Sequence, residues 1–331
     1  MSTAVHALDA PGRLRRLQRF VADNPVLILV VVLVALLVIT DLINRHQTGS
    51  PFVTWKQLST TFLVAAPLGL IAGGQTLVML TGGVDLSIAY IATAAAYVTA
   101  WQGGSGTATA LLFGLATGAA IGLVNGVGVA VFRVNPLIMT LGVGSVLFGM
   151  LSIYASRAFE KTIPGIVSSL GTERFFGYLP VNVLLWAPVA AVLILGLRYT
   201  GYGRMLYAVG DNEVASRLAG VRVWQVLLVA YMLCGLLAAM GGMLLLGFVG
   251  NPDLGLATPY LLPSVAAVVI GGTSILGGFG GYGGTIVGAL ILTVLTSLLN
   301  VLDASEWVKQ VLYGGLIIAF TAIYARASGA D

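Results

Sequence analysis

Charge is what this sequence has least of. Asp, Glu, Lys and Arg together make up 8% of its 331 residues, where a soluble chain carries about a quarter. It has two histidines, His6 and His46, and one cysteine, Cys234. A single thiol excludes a disulfide framework. Both histidines lie in segments expected outside the membrane, so neither a metal site nor a Ser-His-Asp arrangement can be built among the apolar runs. Lysine occurs only at Lys56, Lys161 and Lys309, and none follows a glycine as a phosphate-binding loop requires. The expectation is a protein without catalytic residues, metal or cofactor of its own, and without a nucleic-acid partner.

What is abundant is apolar. Hydrophobic residues reach 58%, mean hydropathy is +0.99, and runs of membrane-spanning length recur, so most of the chain has lipid as its solvent. Ten spans are expected, roughly 25–43, 58–81, 85–101, 107–132, 136–155, 180–197, 223–248, 261–276, 284–302 and 306–325. They form one membrane domain over 25–325, preceded by a basic segment 1–24 and followed by a tail 326–331. The run Val26 to Ile39 resembles a signal peptide, but no small-x-small cleavage pattern follows it. It is read as an uncleaved first span. An even number of spans puts both termini on one side. If that side is the cytoplasm, the inner segments hold Arg13, Arg15, Arg16, Arg19, Arg133, Arg198, Arg204, Arg217, Arg222 and Arg326. Only Arg45, Lys56, Arg157, Lys161, Arg174 and Lys309 then fall outside, as the positive-inside rule requires. Trp55, Trp101, Trp224 and Trp307 mark span ends, the positions of an aromatic belt.

Several spans are poor uniform helices. The second carries Pro67 and then Gly73-Gly74-Gln75, and the third and eighth are short and bordered by glycine. Breaks of this kind either kink a helix for packing or mark a transport path. Glycine totals 44, and pairs such as Gly118–Gly122 and Gly284–Gly288 have the small-xxx-small spacing of closely packed helices. Gly278 to Gly283 fits G-x-G-x-x-G, but an apolar span follows where a dinucleotide fold needs a soluble βαβ unit, so it is read as a tight turn. MLTGGVDLS and VVIGGTSIL both place Gly-Gly after an apolar run, a likeness too brief to establish a repeat.

Asp85, in TGGVDLS, is the one carboxylate lodged among apolar segments. An ionised Asp at the bilayer centre costs about 2.5–3.5 kcal/mol on insertion scales. It is therefore either an N-cap opening the third span or a functional group in a cavity, and the two roles are compatible. The other polar residues within spans, among them Gln75, Thr93, Thr99, Asn125, Asn135, Thr140, Ser145, Thr293 and Asn300, are neutral. Their chemistry suits bonds between helices, or the lining of a path for a neutral, hydroxyl-rich solute.

Between Leu197 and Val223 lies the one polar interruption of length, GDNEVASRLAG, within an inner segment 198–222. Asp211 or Asn212 suits an N-cap, Glu213 the first turn, Arg217 a later one, and Gly220 the C′ stop. A helix of about nine residues is too short to be stable alone in water. It is either an interfacial surface helix or a peg held by a partner, with Ala215 and Ala219 forming one smooth face.

Five stretches, in order, resemble the membrane subunit of bacterial ribose-type ABC importers. They are Gly82 to Ser87, Gly122 to Gly126, Asn135 to Gly142, Gly210 to Gly220, and Gly271 to Ser274 with the glycines up to Gly288, and the likeness runs from about 58 to 325. The resemblance implies an all-α integral membrane protein with a type II ABC importer-like bundle and cytoplasmic termini. It implies ATPase subunits carrying ATP and Mg, a second permease copy or homologous permease, and a periplasmic sugar-binding protein. By the same resemblance Asp211, Asn212, Glu213, Ala215, Arg217, Leu218 and Gly220 form the ATPase-coupling helix. Gln75, Asp85, Ser87, Asn125, Asn135, Thr140, Thr273 and Ser274 are the candidates for the translocation path. The expected cargo is a monosaccharide or similar neutral polyol. Ala89, Tyr90 and Phe279 depart from the family pattern at positions that could alter the path's lining. The alternative is a proton-coupled secondary transporter using Asp85.

Overall fold

The computed structural model describes residues 25–155 and 162–327. The basic segment with Arg13, Arg15, Arg16 and Arg19, the residues Arg157 and Lys161, and positions 328–331 lie outside the described residues, as does the side chain of Arg326. The chain is a helical bundle. Its long members are α1 (Pro25–Thr48), α2 (Trp55–Met79), α4 (Thr107–Ala130), α5 (Pro136–Ala155), α7 (Val181–Tyr199), α10 (Val223–Val249) and α12 (Tyr282–Val301). All seven are long and apolar enough to cross a membrane. α3 (Ile88–Trp101) and α11 (Leu261–Ile270) are apolar but short, and α13 (Glu306–Ala327) closes the chain. Every expected span falls on one of these ten helices.

α3 has 14 residues and α11 has 10. At 1.5 Å per residue they rise about 21 and 15 Å, well below a hydrocarbon core of about 30 Å. Irregular segments 80–87 and 271–281 supply the remaining depth. The third span thus begins at Ile88, three residues later than the sequence suggests, and the eighth ends at Ile270 rather than near 276. Both irregular segments leave a helix through the same Schellman stop. After α2, Gly82 (φ 78°) and Gly83 donate to Met79 O at 2.9 Å and Val78 O at 3.2 Å. After α11, Gly272 (φ 88°) and Thr273 donate to Val269 O at 3.0 Å and Val268 O at 3.1 Å.

α2 and α10 form the buried centre, while α1 lies on the rim with most of its side chains exposed. The break expected at Pro67 or Gly73-Gly74 does not occur, and α2 runs unbroken through all three. Pro67 has no N–H for the carbonyl of Leu63, but Asn182 Nδ2 of α7 donates to that oxygen at 2.7 Å. The two glycines serve contact rather than unwinding. A Cβ on Gly74 would lie 2.8 Å from Cys234 O, and one on Gly73 would lie 2.9 Å from the Tyr282 ring. Tyr282 OH in turn donates to Gly69 O and accepts from Trp186 Nε1, each at 2.8 Å, joining α2, α7 and α12.

α4 meets α10 backbone to backbone. A Cβ on Gly118 would lie 2.3 Å from Gly235 O, and one on Gly122 equally close to Tyr231 O. The span-free stretch after α5 is structured too, with α6 (Gly165–Thr172) and a hairpin of β1 (Arg174–Phe175) and β2 (Leu179–Pro180). Phe176 (φ 50°) and Gly177 (φ 76°) are the central residues of its turn, in a three-residue loop 176–178 that leaves Phe176 94% exposed. Between α7 and α10 lie α8 (Gly201–Asp211) and α9 (Glu213–Leu218). Their end of the bundle is called here the peg face and the opposite end, carrying the hairpin and the start of α2, the far face.

The α4–α10 contact generates a test. Gly235→Ala places a methyl 2.1 Å from Gly118 O and lowers the thermal midpoint in detergent, by about 1–3 kcal/mol of overpacking. Gly142→Ala in α5 meets nothing within 4 Å and leaves the midpoint unchanged or raises it, because alanine is the better helix former.

Candidate functional site

Asp85 lies in segment 80–87 and is fully buried. Its carboxyl Oδ1 accepts from Ser87 N at 2.8 Å and Ser87 Oγ at 2.6 Å. Its Oδ2 accepts from Asn125 Nδ2 of α4 at 3.4 Å and faces Cys234 Sγ of α10 at 3.7 Å. Asn125 Nδ2 also donates to Ser87 Oγ at 2.8 Å. Gln75 of α2 brackets the Asp85 peptide. With its amide turned so that both ends meet a complementary group, its nitrogen donates to Asp85 O and its oxygen accepts from Asp85 N, each at 3.2 Å. Thr140 of α5 secures the same segment, accepting from Leu86 N at 3.0 Å, while its one proton is shared between Pro136 O at 2.9 Å and Val84 O at 3.3 Å. Asp85 is therefore not the N-cap of α3. Ser87 holds that position without a capping bond, and Asp85 closes a tight turn two residues ahead of it.

Gln75, Asp85, Ser87, Asn125 and Thr140 thus converge, while the other three path candidates lie elsewhere. Asn135 caps α5, its Oδ1 accepting from Leu137 N at 3.0 Å. Thr273 Oγ1 accepts from Gly281 N at 3.1 Å, and Ser274 N donates to Phe279 O at 3.0 Å, so both shape segment 271–281. Of the residues that depart from the family pattern, Tyr90 packs edge-on against Phe148 of α5 with ring centroids 5.9 Å apart. Cys234 completes the buried cluster and was not singled out by sequence, where an isolated cysteine in an apolar run carries no signal.

At the peg face three glycine-bearing segments close on one another. Gly278 N donates to Leu80 O at 3.0 Å. A Cβ on Gly210 would lie 1.9 Å from Leu80 O and 2.6 Å from Gly278 N, and one on Gly277 would lie 2.8 Å from both Gly210 O and Gly82 N. α8 is anchored beside this clamp, where Tyr207 OH donates to Gly280 O at 2.8 Å and Tyr202 OH to Val226 O at 3.1 Å. Burial pushes both phenols above their usual range, so each keeps its proton at any physiological pH.

α9 projects from the end of α8. It has six residues rather than about nine: the extended Asn212 (φ −154°, ψ 102°) is its N-cap, one of the two caps expected, and the helix ends at Leu218. Asp211 is the last residue of α8, and Asn212 caps α9, accepting from Ala215 N at 2.9 Å. Gly220 (φ 86°) ends it, with Gly220 N donating to Arg217 O at 3.1 Å and Val221 N to Ser216 O at 3.0 Å. Glu213 pairs with Arg217 one turn on. From 211 to 220 only Ser216 is buried. The largest exposed groups are not the alanine face but Val214 at 69% and Leu218 at 85%. Val214 was missed, although its spacing of four from Leu218 in a polar segment was a readable signal.

Two kinds of opening remain. At the far face a cleft of about 330 Å³ has a mainly apolar wall into which Gln57, Thr60, Thr293, Thr296, Ser297 and Asn300 bring hydroxyls and amides. A neighbouring cleft of about 350 Å³ shares Gln57, Ser297 and Asn300. The one ion pair at its edge is internal, Glu306 with Lys309 at 3.3 Å. At the peg face a larger cavity of about 550 Å³ extends from the Gly82-Gly83 turn to α9.

Comparison with known proteins agrees with this architecture. Residues 57–321 match the family model described as branched-chain amino acid transport system, permease component. A ribose import permease protein of Escherichia coli is 35% identical over 294 residues, which cover 86% of this chain and 90% of that protein. A fructose import permease protein of Rhizobium meliloti is 31% identical over 97% of this chain and 92% of its own length. An autoinducer 2 import system permease protein of Yersinia enterocolitica is 28% identical over 93% of this chain and 84% of its own. No solved structure matches the chain.

The buried cluster predicts a specific weakness. Ser87→Ala removes the shortest hydrogen bond to Asp85 and one of those made by Asn125, which lowers the stability read from thermal unfolding by about 1–3 kcal/mol. Ser145→Ala, whose hydroxyl only donates to its own helix at Leu141 O, leaves it within about 0.5 kcal/mol.

Proposed function

The chain belongs to the permease family of ribose-type ABC importers, and on that footing we propose that it carries a monosaccharide or similar small neutral polyol from periplasm to cytoplasm, driven by ATP on a separate subunit. The membrane is then the bacterial inner membrane. The peg face is cytoplasmic, in keeping with Arg133, Arg198, Arg204, Arg217 and Arg222 on the connections at that end. The partners are ATPase subunits, a second permease copy or a homologous permease, and a periplasmic sugar-binding protein, and the coupling residues are those from Asp211 to Gly220.

One observation carries the mechanism, the direct backbone contact of Gly210 with Leu80 and Gly278. α9 is the docking peg, and Val214 and Leu218 are its apolar contact. Six residues cannot form a stable helix alone, so the ATPase holds the peg and moves it together with α8. At Gly210 no side chain lies between α8 and the segments it touches, so a displacement passes undamped into 80–87 and 271–281. The first of these contains Asp85. The cluster of Gln75, Asp85, Ser87, Asn125 and Thr140 is sealed in this state and acts as a gate whose bonds re-form as access alternates. The far-face cleft is where a neutral solute meets the bundle, because its hydroxyls and amides can replace the solute's water without introducing charge. Coupling to protons through Asp85 would need a relay of further acidic or histidine groups in the bundle, and its side-chain partners are Ser87, Asn125 and Cys234.

The test is uptake by proteoliposomes containing the permease, its ATPase and the binding protein. Val214→Asp with Leu218→Asp alters only exposed side chains, and it reduces ATPase assembly and uptake at least tenfold without moving the thermal midpoint. Gly220→Pro has the same effect on uptake, because Gly220 adopts φ 86° and donates its N–H to Arg217 O. Full uptake in both variants, or uptake by the native chain without nucleotide, refutes the peg. A second arm addresses the cleft. Thr293→Val with Asn300→Leu raises the half-saturating concentration severalfold more than it lowers the maximal rate.

A further inference from the structure

The largest cavity described above lies on the peg face, and its chemistry differs from the rest of the chain. In a protein with 8% charged residues, three arginines from three separate segments line this one space. They are Arg133 between α4 and α5, Arg217 on α9, and Arg222 ahead of α10. The only acidic side chain lining it, Glu213, is already paired with Arg217. Arg133 and Arg222 have no acidic partner within salt-bridge distance among the described residues.

Three further features point the same way. Two helices begin at its wall, α5 at Pro136 and α10 at Val223, each bringing the positive end of its dipole. Tyr231 also lines the cavity, fully buried, with a hydroxyl that has no hydrogen-bond partner. A buried unpaired hydroxyl costs about 1–3 kcal/mol, a cost removed by a ligand that accepts from it. Lastly, Arg133 sits at φ 54°, the left-handed region that arginine rarely occupies and that accompanies ligand clamps.

We propose that this cavity binds a phosphate group, either of a free phosphate monoester or of an anionic lipid headgroup. Two unpaired guanidinium groups, a third shared with Glu213, and a phenol donor suit the several acceptor oxygens of phosphate. A neutral sugar would leave the charges of Arg133 and Arg222 unanswered. Because Arg217 belongs to α9, Arg222 to the start of α10 and Arg133 to the α4–α5 connection, a bound phosphate ties the peg to the bundle.

The experiment needs only the purified permease, so it stands or falls independently of the transport reading. Trp224 lines the cavity and reports on it, with Trp224→Phe identifying its share of the fluorescence. In lipid-free dodecyl maltoside, inorganic phosphate and ribose 5-phosphate produce a saturable change, and ribose does not. Arg222→Ala weakens that binding at least tenfold. Arg133→Gly does the same while leaving the thermal midpoint unchanged or higher, because glycine accepts φ 54° without strain. Two arms separate the sources. Saturation by the soluble phosphates in dodecyl maltoside identifies a free ester, whereas a signal already saturated in phosphatidylglycerol nanodiscs, and lost there in the arginine variants, identifies a lipid headgroup. An equal response to ribose overturns the proposal, as does the absence of any saturable change in either setting, or native affinity in both arginine variants.

Discussion

Lipid offers no hydrogen bonds, and that constraint organises this bundle. Every departure from helix within the membrane must find its donors and acceptors in neighbouring protein. The two departures, 80–87 and 271–281, do so by different means. The first is held by side chains, with Gln75 on the Asp85 peptide, Thr140 on Val84 and Leu86, and Asp85 itself on Ser87. The second is held chiefly by its own turns, through Ser274 and Thr273, and by one backbone bond from Gly278 to Leu80. The same constraint explains Asn182, whose buried amide satisfies the carbonyl left free by Pro67 and so allows a proline inside a continuous central helix.

Close approach is the counterpart of that satisfaction. Where apolar side chains gain nothing by leaving lipid for one another, association depends on packing and on hydrogen bonds, and glycine brings backbones together. Gly118, Gly122 and Gly235 lock α4 to α10 along a long contact. Gly82, Gly210, Gly277 and Gly278 meet in a single clamp at the peg face. The difference lies in what each joins. The first contact unites two long helices and is static. The second unites the end of an amphipathic helix, α8, with the two irregular segments, the parts of the bundle with the fewest repeating bonds. A movement imposed on α8 therefore reaches the elements best able to change shape.

Hydropathy located the ten principal helices, seven of them long and apolar enough to cross a membrane, because the apolar runs are long and their polar interruptions short. The interior of α2 left two readings open for a physical reason. Pro67 and Gly73-Gly74 look alike in sequence whether a helix unwinds or a neighbour fills the space, and only Asn182, Cys234 and Tyr282, all distant in sequence, decide which. The Asp85 cluster was half legible. Its polar members stand out one by one against an apolar background, but their convergence depends on pairings across as many as 149 positions, such as Asp85 with Cys234. The far-face cleft was hidden differently. Thr60, Thr296 and Ser297 sit near span ends, where a hydroxyl excites no suspicion, and the cleft exists only because α2, α11, α12 and α13 bring them together. The brief likeness of MLTGGVDLS to VVIGGTSIL reflects a shared local task, a Schellman stop at membrane depth met by Gly82 and Gly272, and does not require a duplicated ancestor.

On the proposed readings, charge is distributed so that a neutral solute and a phosphate are kept apart. The polar groups within the bundle and along the far-face cleft are almost all neutral, and the exceptions are internally answered, Asp85 by donors and Glu306 by Lys309. At the peg face, by contrast, Arg133, Arg217 and Arg222 gather around the cavity beneath the Gly82-Gly83 turn. An arginine ring further in would hold an anion tightly and would oppose any cation, so it would obstruct transport of either. Placed at the mouth, outside the sealed cluster, the same arginines leave a neutral solute unaffected and remain free to grip a phosphate beside the peg. The scarcity of charge that first marks this sequence is thus a condition of its selectivity: each charge that remains has a place where it does not burden the path.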